Sequence, residues 1–342
     1  MVTMIGIDPH KATHTAVAID SDEVELGRIT VDASPRQGDE LRTWAGRFDE
    51  PRWAVEAARG MGYGVAQHLV AAGEDVVDVP PVLAARTRVL GSGSSDKTDR
   101  NDARSVAVCA LRDPSLQRVA PTDHTRALAL VANRHRDLAR RTTQTKSRLH
   151  ALLAELTPGG LAGTMSLTRA NALLEGIEAA DAIDEVRLAI AGELITELAE
   201  LDRAMRVSRQ RVATAVDATG TTLVDIVGIG AIGAATILGA VGDPGRFGTR
   251  AQFASYNGTA PVAASSGPNT RHRLNLRGNR DINHVLHVAA INQLRGLGPG
   301  RAYYDRKKLE GKSTKEAIRC LKRRISDAVW RALRDDAARH TR

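Results

Sequence analysis

The sequence predicts an α/β domain at the N-terminus, a long helical segment after it, and a mainly α-helical C-terminal region. Three observations support this prediction: short apolar runs bounded by turn residues at the start, a heptad-like segment in the middle, and helical patterns separated by glycine-rich turns towards the end. The 342 residues suffice for two or three domains. We expect an α/β domain over 1–118, a helical linker over 119–215 and a C-terminal domain over 216–342.

The first domain is predicted to begin with three strands and to alternate helices and strands afterwards. Apolar runs with turn clusters between them predict strands at 2–8, 13–20, 24–31, 52–56 and 75–79. Helical spacing predicts helices at 36–48, 63–72 and 102–112. The order βββαβα, followed by a strand and a helix, is that of a ribonuclease-H-like domain. In that architecture the first and fourth strands are neighbours.

Four carboxylates stand at informative places in these elements. Asp8 and Glu56 each end an apolar run, so neighbouring strands would bring them together. Asp99 and Asp102 are three residues apart at a helix start, so they share one face of that helix. Taken singly, such residues end strands or cap helices. Four converging carboxylates predict a magnesium site, because Mg²⁺ prefers oxygen ligands.

The charge distribution favours an anionic partner. The net charge is +8, and residues 301–342 alone hold 14 Lys and Arg against six Asp and Glu. Such a concentration of positive charge favours nucleic-acid contact, and aromatic residues at 3% leave little scope for base stacking. Two cysteines supply neither a disulfide framework nor a zinc site. No signal peptide or membrane span is evident, so we expect a cytoplasmic, nucleoid-associated protein.

The middle of the chain carries the clearest helical periodicity. Residues 122–156 place a seam of mostly apolar side chains on coiled-coil spacing, and 190–205 repeat the pattern. The outer face of the first helix holds six positive residues against Asp137, among them Arg140 and Arg141, which we regard as candidate nucleic-acid contacts. A solvated surface is the alternative. An antiparallel helical hairpin of this kind fits a role in joining two domains or in pairing two subunits, and we expect a dimer or a tetramer.

A glycine-rich stretch, residues 228–233, matches the dinucleotide-binding pattern G-x-G-x-x-G. No strand with a terminal acid follows at the required spacing, so a nucleotide-dependent enzyme is disfavoured. A helix-hairpin-helix-like element, whose backbone N–H groups approach a phosphate, explains the stretch better. A tight turn that merely packs against the core has equal support.

A serine-containing turn lies close to a basic cluster in the C-terminal region. Ser265 and Ser266 precede Gly267, and four arginines follow within fourteen residues of Ser266. A serine that attacks a phosphodiester needs positive charge to stabilise the transition state. The candidate phosphate contacts are Arg271, Arg273, Arg277 and Arg280.

Seven stretches, spread in order along nearly the whole chain, resemble the DEDD-type insertion-sequence transposases of insertion-sequence family 110. Each stretch is only suggestive, but their order and spacing make the match specific. They are Ile5-Gly6-Ile7-Asp8-Pro9-His10-Lys11, Ala54-Val55-Glu56-Ala57, Lys97-Thr98-Asp99-Arg100-Asn101-Asp102-Ala103, 226–235, Gly242-Asp243-Pro244-Gly245-Arg246-Phe247, 255–267 and Arg277-Gly278-Asn279-Arg280.

The resemblance implies a RuvC-like N-terminal domain whose carboxylates bind Mg²⁺ and a C-terminal domain with a nucleophilic serine. The carboxylates are Asp8, Glu56, Asp99 and Asp102; the serine is Ser266, with Ser265 as the neighbouring candidate. It further implies a helical linker used in assembly, and a structured non-coding guide RNA, the bridge RNA, that selects donor and target DNA. The expected product is a covalent serine–DNA phosphoester with a free 3′ hydroxyl.

Two other functions remain open from the residues alone. A RuvC-like Mg²⁺-dependent nuclease or junction resolvase would use the four carboxylates and attack with water, without Ser266. A non-catalytic nucleic-acid-binding protein would need neither, although the presence of all four acids argues against it.

Overall fold

The structure is a computed structural model that describes residues 2–92, 98–263, 272–273, 275, 278–296 and 298–340. The chain forms two compact units, Met1–Thr122 and Asp123–Arg342. The predicted boundary at residue 118 stays a prediction. The division of the remainder into a linker and a C-terminal domain stays a prediction. None of the helices in the described part of the chain combines the length and the apolar character that a membrane span requires.

The first unit is built around a six-stranded mixed sheet in the order β3-β2-β1-β4-β5-β6. Strand β1 pairs antiparallel with β2 and parallel with β4, which confirms the predicted ribonuclease-H-like arrangement. The strands are β1 Thr3–Pro9, β2 Thr13–Ile19, β3 Glu25–Asp32, β4 Pro51–Glu56, β5 Val76–Val79 and β6 Gln117–Arg118. The helices are α1 Gln37–Ala45, α2 Tyr63–Ala71, α3 Pro81–Ser92 and α4 Asp99–Arg112.

Both faces of the central strand are buried, which explains why β1 is a continuous apolar run rather than an alternating one. Ile5 and Ile7 lie in the core beneath α1 and α2. Met4 lies on the opposite face, in the core that includes Ala103 and Ala107 of α4. Helices therefore cover both sides of the sheet at the strand that carries Asp8.

Gly6 allows α4 to lie directly against β1. A Cβ atom at this position would lie 2.2 Å from the carbonyl oxygen of Ala103 and 2.3 Å from the backbone nitrogen of Ala107. Any larger residue would push the helix away from the sheet. The glycine thus fixes the distance between the strand and the helix that carry three of the four candidate carboxylates.

Two details of this unit differ from the sequence prediction. Helix α4 begins at Asp99, three residues earlier than expected, because the Thr98 side chain caps it by accepting a hydrogen bond from the Asn101 N–H. Helix α3 was not predicted. It opens with Pro81 in its first turn, but Val89 and Leu90 are exposed, so it lacks a clear apolar stripe.

The second unit consists mainly of helices. They are α5 His124–Leu156, α6 Leu167–Glu175, α7 Ala182–Asp217, α8 Ala231–Val241, α9 Arg250–Tyr256, α10 Arg280–Arg295, α11 Gly300–Leu309 and α12 Thr314–His340. Two short 3₁₀ helices, Thr222–Asp225 and Pro244–Arg246, precede α8 and α9. A two-stranded ribbon of β7 Val262–Ala263 and β8 His272–Arg273 lies between α9 and α10. The mainly α-helical prediction is confirmed.

The two long helices α5 and α7 pack against each other in antiparallel fashion. His135 hydrogen-bonds to Ser208 at 3.2 Å, and further along α5 Glu155 pairs with Arg187 at 3.1 Å, so positions ascend on one helix as they descend on the other. His135 is a buried polar member of the predicted seam, and burial, followed by the charge of Arg209, lowers its pKa. The helical hairpin is thus present, whereas its coiled-coil character stays a prediction.

The glycine-rich turn before α8 has a packing role. Gly228 adopts φ +90°, and a Cβ there would lie 2.8 Å from Cα of Ala289 on α10. Gly230 is the N-cap of α8 and has open space around it. Close helix packing therefore explains the first glycine, and the helix-hairpin-helix interpretation stays a prediction.

Candidate functional site

The first two carboxylates lie side by side at one edge of the sheet. Asp8 is the last residue but one of β1, and Glu56 ends β4; the parallel register pairs Ile7 with Val55, immediately before them. Asp8 is only 7% exposed. Directly after Glu56 the chain turns through Ala57, whose φ of +49° is uncommon for a residue with a side chain. This turn ends the strand at the carboxylate.

The other two carboxylates lie in the first turn of α4, and ion pairs along the helix fix its orientation. Arg100 donates to the Glu25 carboxylate at 2.7 and 3.0 Å, and Arg112 pairs with Glu23 on the adjoining turn. These contacts and the close approach at Gly6 hold the helix N-terminus beside the end of β1. The other three predicted carboxylates consequently influence Asp8 electrostatically.

Two further side chains belong to this cluster and were missed by the sequence analysis. His10 places Nδ1 3.6 Å from Oδ2 of Asp8 and Nε2 3.8 Å from Oδ1 of Asp99. Arg88 of α3 forms an ion pair with Asp102. The position of His10, two residues after Asp8, suggested proximity. Nothing in the sequence could pair Arg88 with Asp102, because the helix carrying it was not predicted.

Burial shifts the ionisation of Asp8. It raises the pKa of Asp8 to about 6; His10 lowers this pKa, whereas Glu56, Asp102 and Asp99 raise it further. Like charges held near one another in a poorly solvated place disfavour the ionised form. The cluster therefore holds more negative charge than its own cationic groups compensate.

The donor set fits a divalent metal ion. Oxygen Oδ2 of Asp8 is buried and lacks a hydrogen-bond partner among the described residues. This oxygen can therefore coordinate a cation. One ligand atom from each of Asp8, His10 and Asp99 lies within 4.8 Å of the others. Carboxylates and an imidazole are common ligands of divalent ions.

The predicted serine and most of the predicted arginine cluster cannot be placed. Ser265, Ser266, Arg271 and Arg277 lie outside the described residues, as does the side chain of Arg273, although its backbone belongs to β8. Arg280 is described: it is the first residue of α10 and is exposed.

The two candidate contacts on α5 are exposed and have acidic neighbours. Arg140 lies 3.9 Å from Asp137, and Arg141 lies 3.7 Å from Glu197 of α7. Their neighbour Arg136 pairs with Asp281 at 2.5 Å, so one charge of this basic face is engaged within the unit. Nucleic-acid contact by Arg140 and Arg141 stays a prediction.

Comparison with known structures finds similarity to RuvC. The chain is similar to T. thermophilus RuvC in complex with a Holliday junction substrate, with 16% identity and a TM-score of 0.28. The match covers 35% of this chain and 100% of that chain.

Comparison with family models and curated proteins identifies transposases of insertion sequences. Residues 5–158 match the DEDD_Tnp_IS110 transposase model, and residues 220–305 match the model of the transposase IS116/IS110/IS902 family. The "Insertion element IS116 uncharacterized 44.8 kDa protein" of Streptomyces clavuligerus is 28% identical, over 97% of this chain and 94% of that protein.

A second relative is similar over almost its whole length. The "Insertion element IS900 uncharacterized 42 kDa protein" of Mycobacterium paratuberculosis is 26% identical, over 98% of this chain and 96% of that protein. The two family models together span more than two thirds of the chain, in the expected order. The first model covers all four carboxylates of the acidic cluster. The chain belongs to the DEDD-type IS110 family of transposases.

Proposed function

We propose that this transposase cuts and rejoins DNA by Mg²⁺-dependent attack of a serine, Ser266, on a phosphodiester, under the direction of a guide RNA. The observation that carries the proposal is the convergence of Asp8, Glu56, Asp99 and Asp102 at one edge of the sheet, with Asp8 buried and its Oδ2 lacking a hydrogen-bond partner among the described residues. Such a site is suited to phosphoryl transfer rather than to fold stability, because the acids repel one another.

The carboxylates would hold the metal and the substrate phosphate near each other. Magnesium, when bound, neutralises the developing charge on the phosphoryl oxygens and orients the attacking and leaving groups. Mg²⁺ is favoured over softer metals by the excess of carboxylates over imidazole in the cluster. Asp8, the most buried of the four, would be deprotonated when the metal binds, because a carboxyl group ligates a metal in its ionised form.

The proposed reaction exchanges one phosphoester for another. The Ser266 hydroxyl loses its proton, its Oγ forms a bond to phosphorus, and the bond from phosphorus to O3′ breaks. The departing 3′ oxygen takes up a proton and becomes a free hydroxyl. The serine–DNA phosphoester conserves the bond energy, so a second strand can be joined by the reverse step without an external energy source. This favours strand exchange over hydrolysis.

We further propose that the transposase binds a guide RNA and assembles into dimers or tetramers. The support for both is the family membership, the net charge of +8 and the basic residues of α5 and the C-terminal region. A bound structured RNA would account for positive charge beyond that needed for a DNA duplex.

The test is a cleavage assay with Mg²⁺, the RNA transcribed from the element's flanks, and labelled donor and target duplexes. Wild type, Ser266→Ala, Ser265→Ala and Asp99→Ala are compared on a denaturing protein gel. We expect label to travel with wild type and with Ser265→Ala, and to be lost from Ser266→Ala and Asp99→Ala.

Each other result has a defined meaning. Loss of the adduct in Ser265→Ala alone would move the nucleophile by one position. Cleavage by both serine variants without any adduct would show a water-using nuclease and would overturn the serine mechanism. Full activity without RNA would remove the guide from the proposal.

A further inference from the structure

A group of cationic side chains in the second unit includes Arg280, a phosphate contact predicted from the sequence, and three residues that have no role in the chemistry proposed above. Arg280, His284 and His287 follow one face of α10, and Lys322 of α12 lies against them. Their proximity is evident in His287, whose pKa is lowered first by burial and then by the charges of Lys322 and His284. Two helices therefore contribute positive or protonatable groups to a common surface.

Lys322 is unusual because it is a buried lysine that has no acidic partner among the described residues. The residue is 9% exposed, and its Nζ donates to Oδ1 of Asn283 at 2.7 Å. Over the part of the chain that the structure describes, neither Lys322 nor Arg280 forms an ion pair. Burial, followed by the positive charge of Arg280, lowers the pKa of Lys322 to about 8. Burying an uncompensated charge is costly, so the fold alone does not explain this lysine.

The acid nearest to Arg280 in sequence does not compensate the pair. Asp281 accepts a hydrogen bond from Arg136 of α5 at 2.5 Å, and that ion pair engages its charge. Arg280 itself is exposed at the start of α10. The surface next to Lys322 consequently keeps its positive potential.

A buried polar network holds Lys322 in place. The Asn283 side chain donates to the Asn257 carbonyl at 2.9 Å, and the Asn257 side chain donates to Ser326 at 2.8 Å. Asn257 and Ser326 are fully buried, and Ser326 is one turn from Lys322 on α12. The ammonium group is thus positioned before any ligand arrives, which reduces the entropic cost of binding.

We propose that Lys322 and Arg280 form a binding site for a phosphodiester of the DNA backbone. Arg280 offers a planar guanidinium that matches two non-bridging phosphate oxygens, and Lys322 offers a point charge from the protein side. The ligand anion supplies the compensating charge that the fold lacks. This inference rests on the proposed function only in taking DNA as the substrate, and it requires neither the metal nor Ser266.

The test is equilibrium binding of a labelled DNA duplex to the full chain, in EDTA so that no chemistry occurs. Lys322→Gln removes the charge and keeps a donor for Asn283. Lys307→Gln is the matched control, because Lys307 already pairs with Glu310 at 2.6 Å. We expect Lys322→Gln to weaken binding roughly tenfold and to reduce the slope of log affinity against log salt by about 1, with little change for the control.

Thermal stability separates a binding role from a structural one. We expect Lys322→Gln to melt at the same temperature as wild type or higher, because a buried charge is removed. A lower melting temperature with unchanged affinity would overturn the proposal, and so would an equal loss of affinity in both variants.

Arg280→Gln is a second variant, and because Arg280 is exposed we expect this substitution to leave folding unchanged. We expect it to weaken DNA binding to a similar extent, and unchanged affinity would overturn the proposal. If the variants bound RNA more weakly but bound the DNA duplex as wild type does, the assignment of the site to DNA would be overturned. Asp8→Asn should bind the duplex normally in this assay, so failure of the phosphate site and failure of the carboxylate chemistry give different results.

Discussion

Asp8 experiences an electrostatic penalty in the acidic cluster. It is buried, its Oδ2 has no hydrogen-bond partner among the described residues, and three other carboxylates act to raise its pKa. A protein tolerates such a residue when a ligand compensates for it. We therefore infer that the acidic cluster lowers the stability of the metal-free protein because its arrangement serves metal binding.

Replacing Asp8 with Asn tests this trade through stability. The pKa of Asp8 is about 6 in the folded chain against an ordinary value of 3.8, so folding favours its protonated form. As pH rises from about 4 to about 6, the unfolded chain ionises first, and the metal-free wild type loses stability that it does not regain above pH 6. We expect Asp8→Asn to lack this loss and to melt higher than wild type at pH 7 in EDTA.

Addition of Mg²⁺ should raise the melting temperature of wild type above that of Asp8→Asn. Wild type gains stability by mass action, whereas Asp8→Asn gains little, and calorimetry should show metal affinity lowered more than about tenfold. Asp22→Asn, at an exposed turn, serves as the control. Equal stabilisation of both proteins by the metal would show that Asp8 is not a ligand.

Arg88 provides a second test at this scale. Its ion pair with Asp102 reduces the negative charge that a metal ion meets. We expect Arg88→Ala to raise the affinity for Mg²⁺ roughly fivefold, since a unit charge about 4 Å away contributes about 1 kcal/mol in water. Arg86→Ala, an exposed change on the same helix, should leave the affinity unchanged. Lower affinity in Arg88→Ala would mean that the arginine supports the site.

Residue types and strand ends were enough to predict the four carboxylates from the sequence. Asp8 and Glu56 follow apolar runs, and Asp99 and Asp102 share a helical face, so each position carries a local pattern. His10 and Arg88 lack such a pattern. Their place in the cluster depends on the path of the chain after β1 and on helix α3, which only the folded structure gives.

At the scale of elements, small residues control how closely the helices approach their partners. Gly6 lets α4 reach β1, and Gly228 lets the turn before α8 reach α10. The sequence showed where glycines occur, but it did not distinguish packing from phosphate binding at residues 228–233. That distinction requires the neighbouring atoms, which come from segments distant in sequence.

Gly228→Ala should destabilise the second unit. The left-handed backbone and the contact with Ala289 together predict a loss of about 1–3 kcal/mol. Gly192→Ala is the matched control, because Gly192 lies within α7 with open space around it. It should stabilise the protein by about 0.5–1 kcal/mol, the usual gain for alanine in a helix interior. Chemical denaturation measures both, and a neutral Gly228→Ala would contradict the packing role.

At the scale of elements, prediction succeeded where periodicity was strong and failed where it was weak. The apolar strands of the sheet and the long helices α5 and α7 have clear patterns, and their existence and order were predicted. The start of α4 was misplaced because its first four residues, Asp99 to Asp102, are all polar and the first apolar position is Ala103. Tertiary contacts, rather than an apolar stripe, hold α3.

Over the whole molecule, the distribution of charge separates two tasks. The first unit concentrates carboxylates at one site, whereas the C-terminal residues 301–342 carry a net charge of +8. Several acids of this region pair with basic residues three or four positions away, Asp305 with Arg301, Glu310 with Lys307 and Asp327 with Arg323. The remaining positive charge is available to a nucleic acid, whose binding should therefore weaken with salt.

We propose that this transposase links a serine covalently to DNA. Mass spectrometry of the trapped adduct is the most direct test of that covalent link. The protein is incubated with Mg²⁺, RNA and DNA, the nucleic acid is digested to a residual nucleotide, and the tryptic peptide 251–271 is fragmented. We expect a phosphoester-linked nucleotide on Ser266 of the wild-type protein and no such modification in Asp8→Asn. Cleaved DNA with an unmodified peptide 251–271 would contradict it.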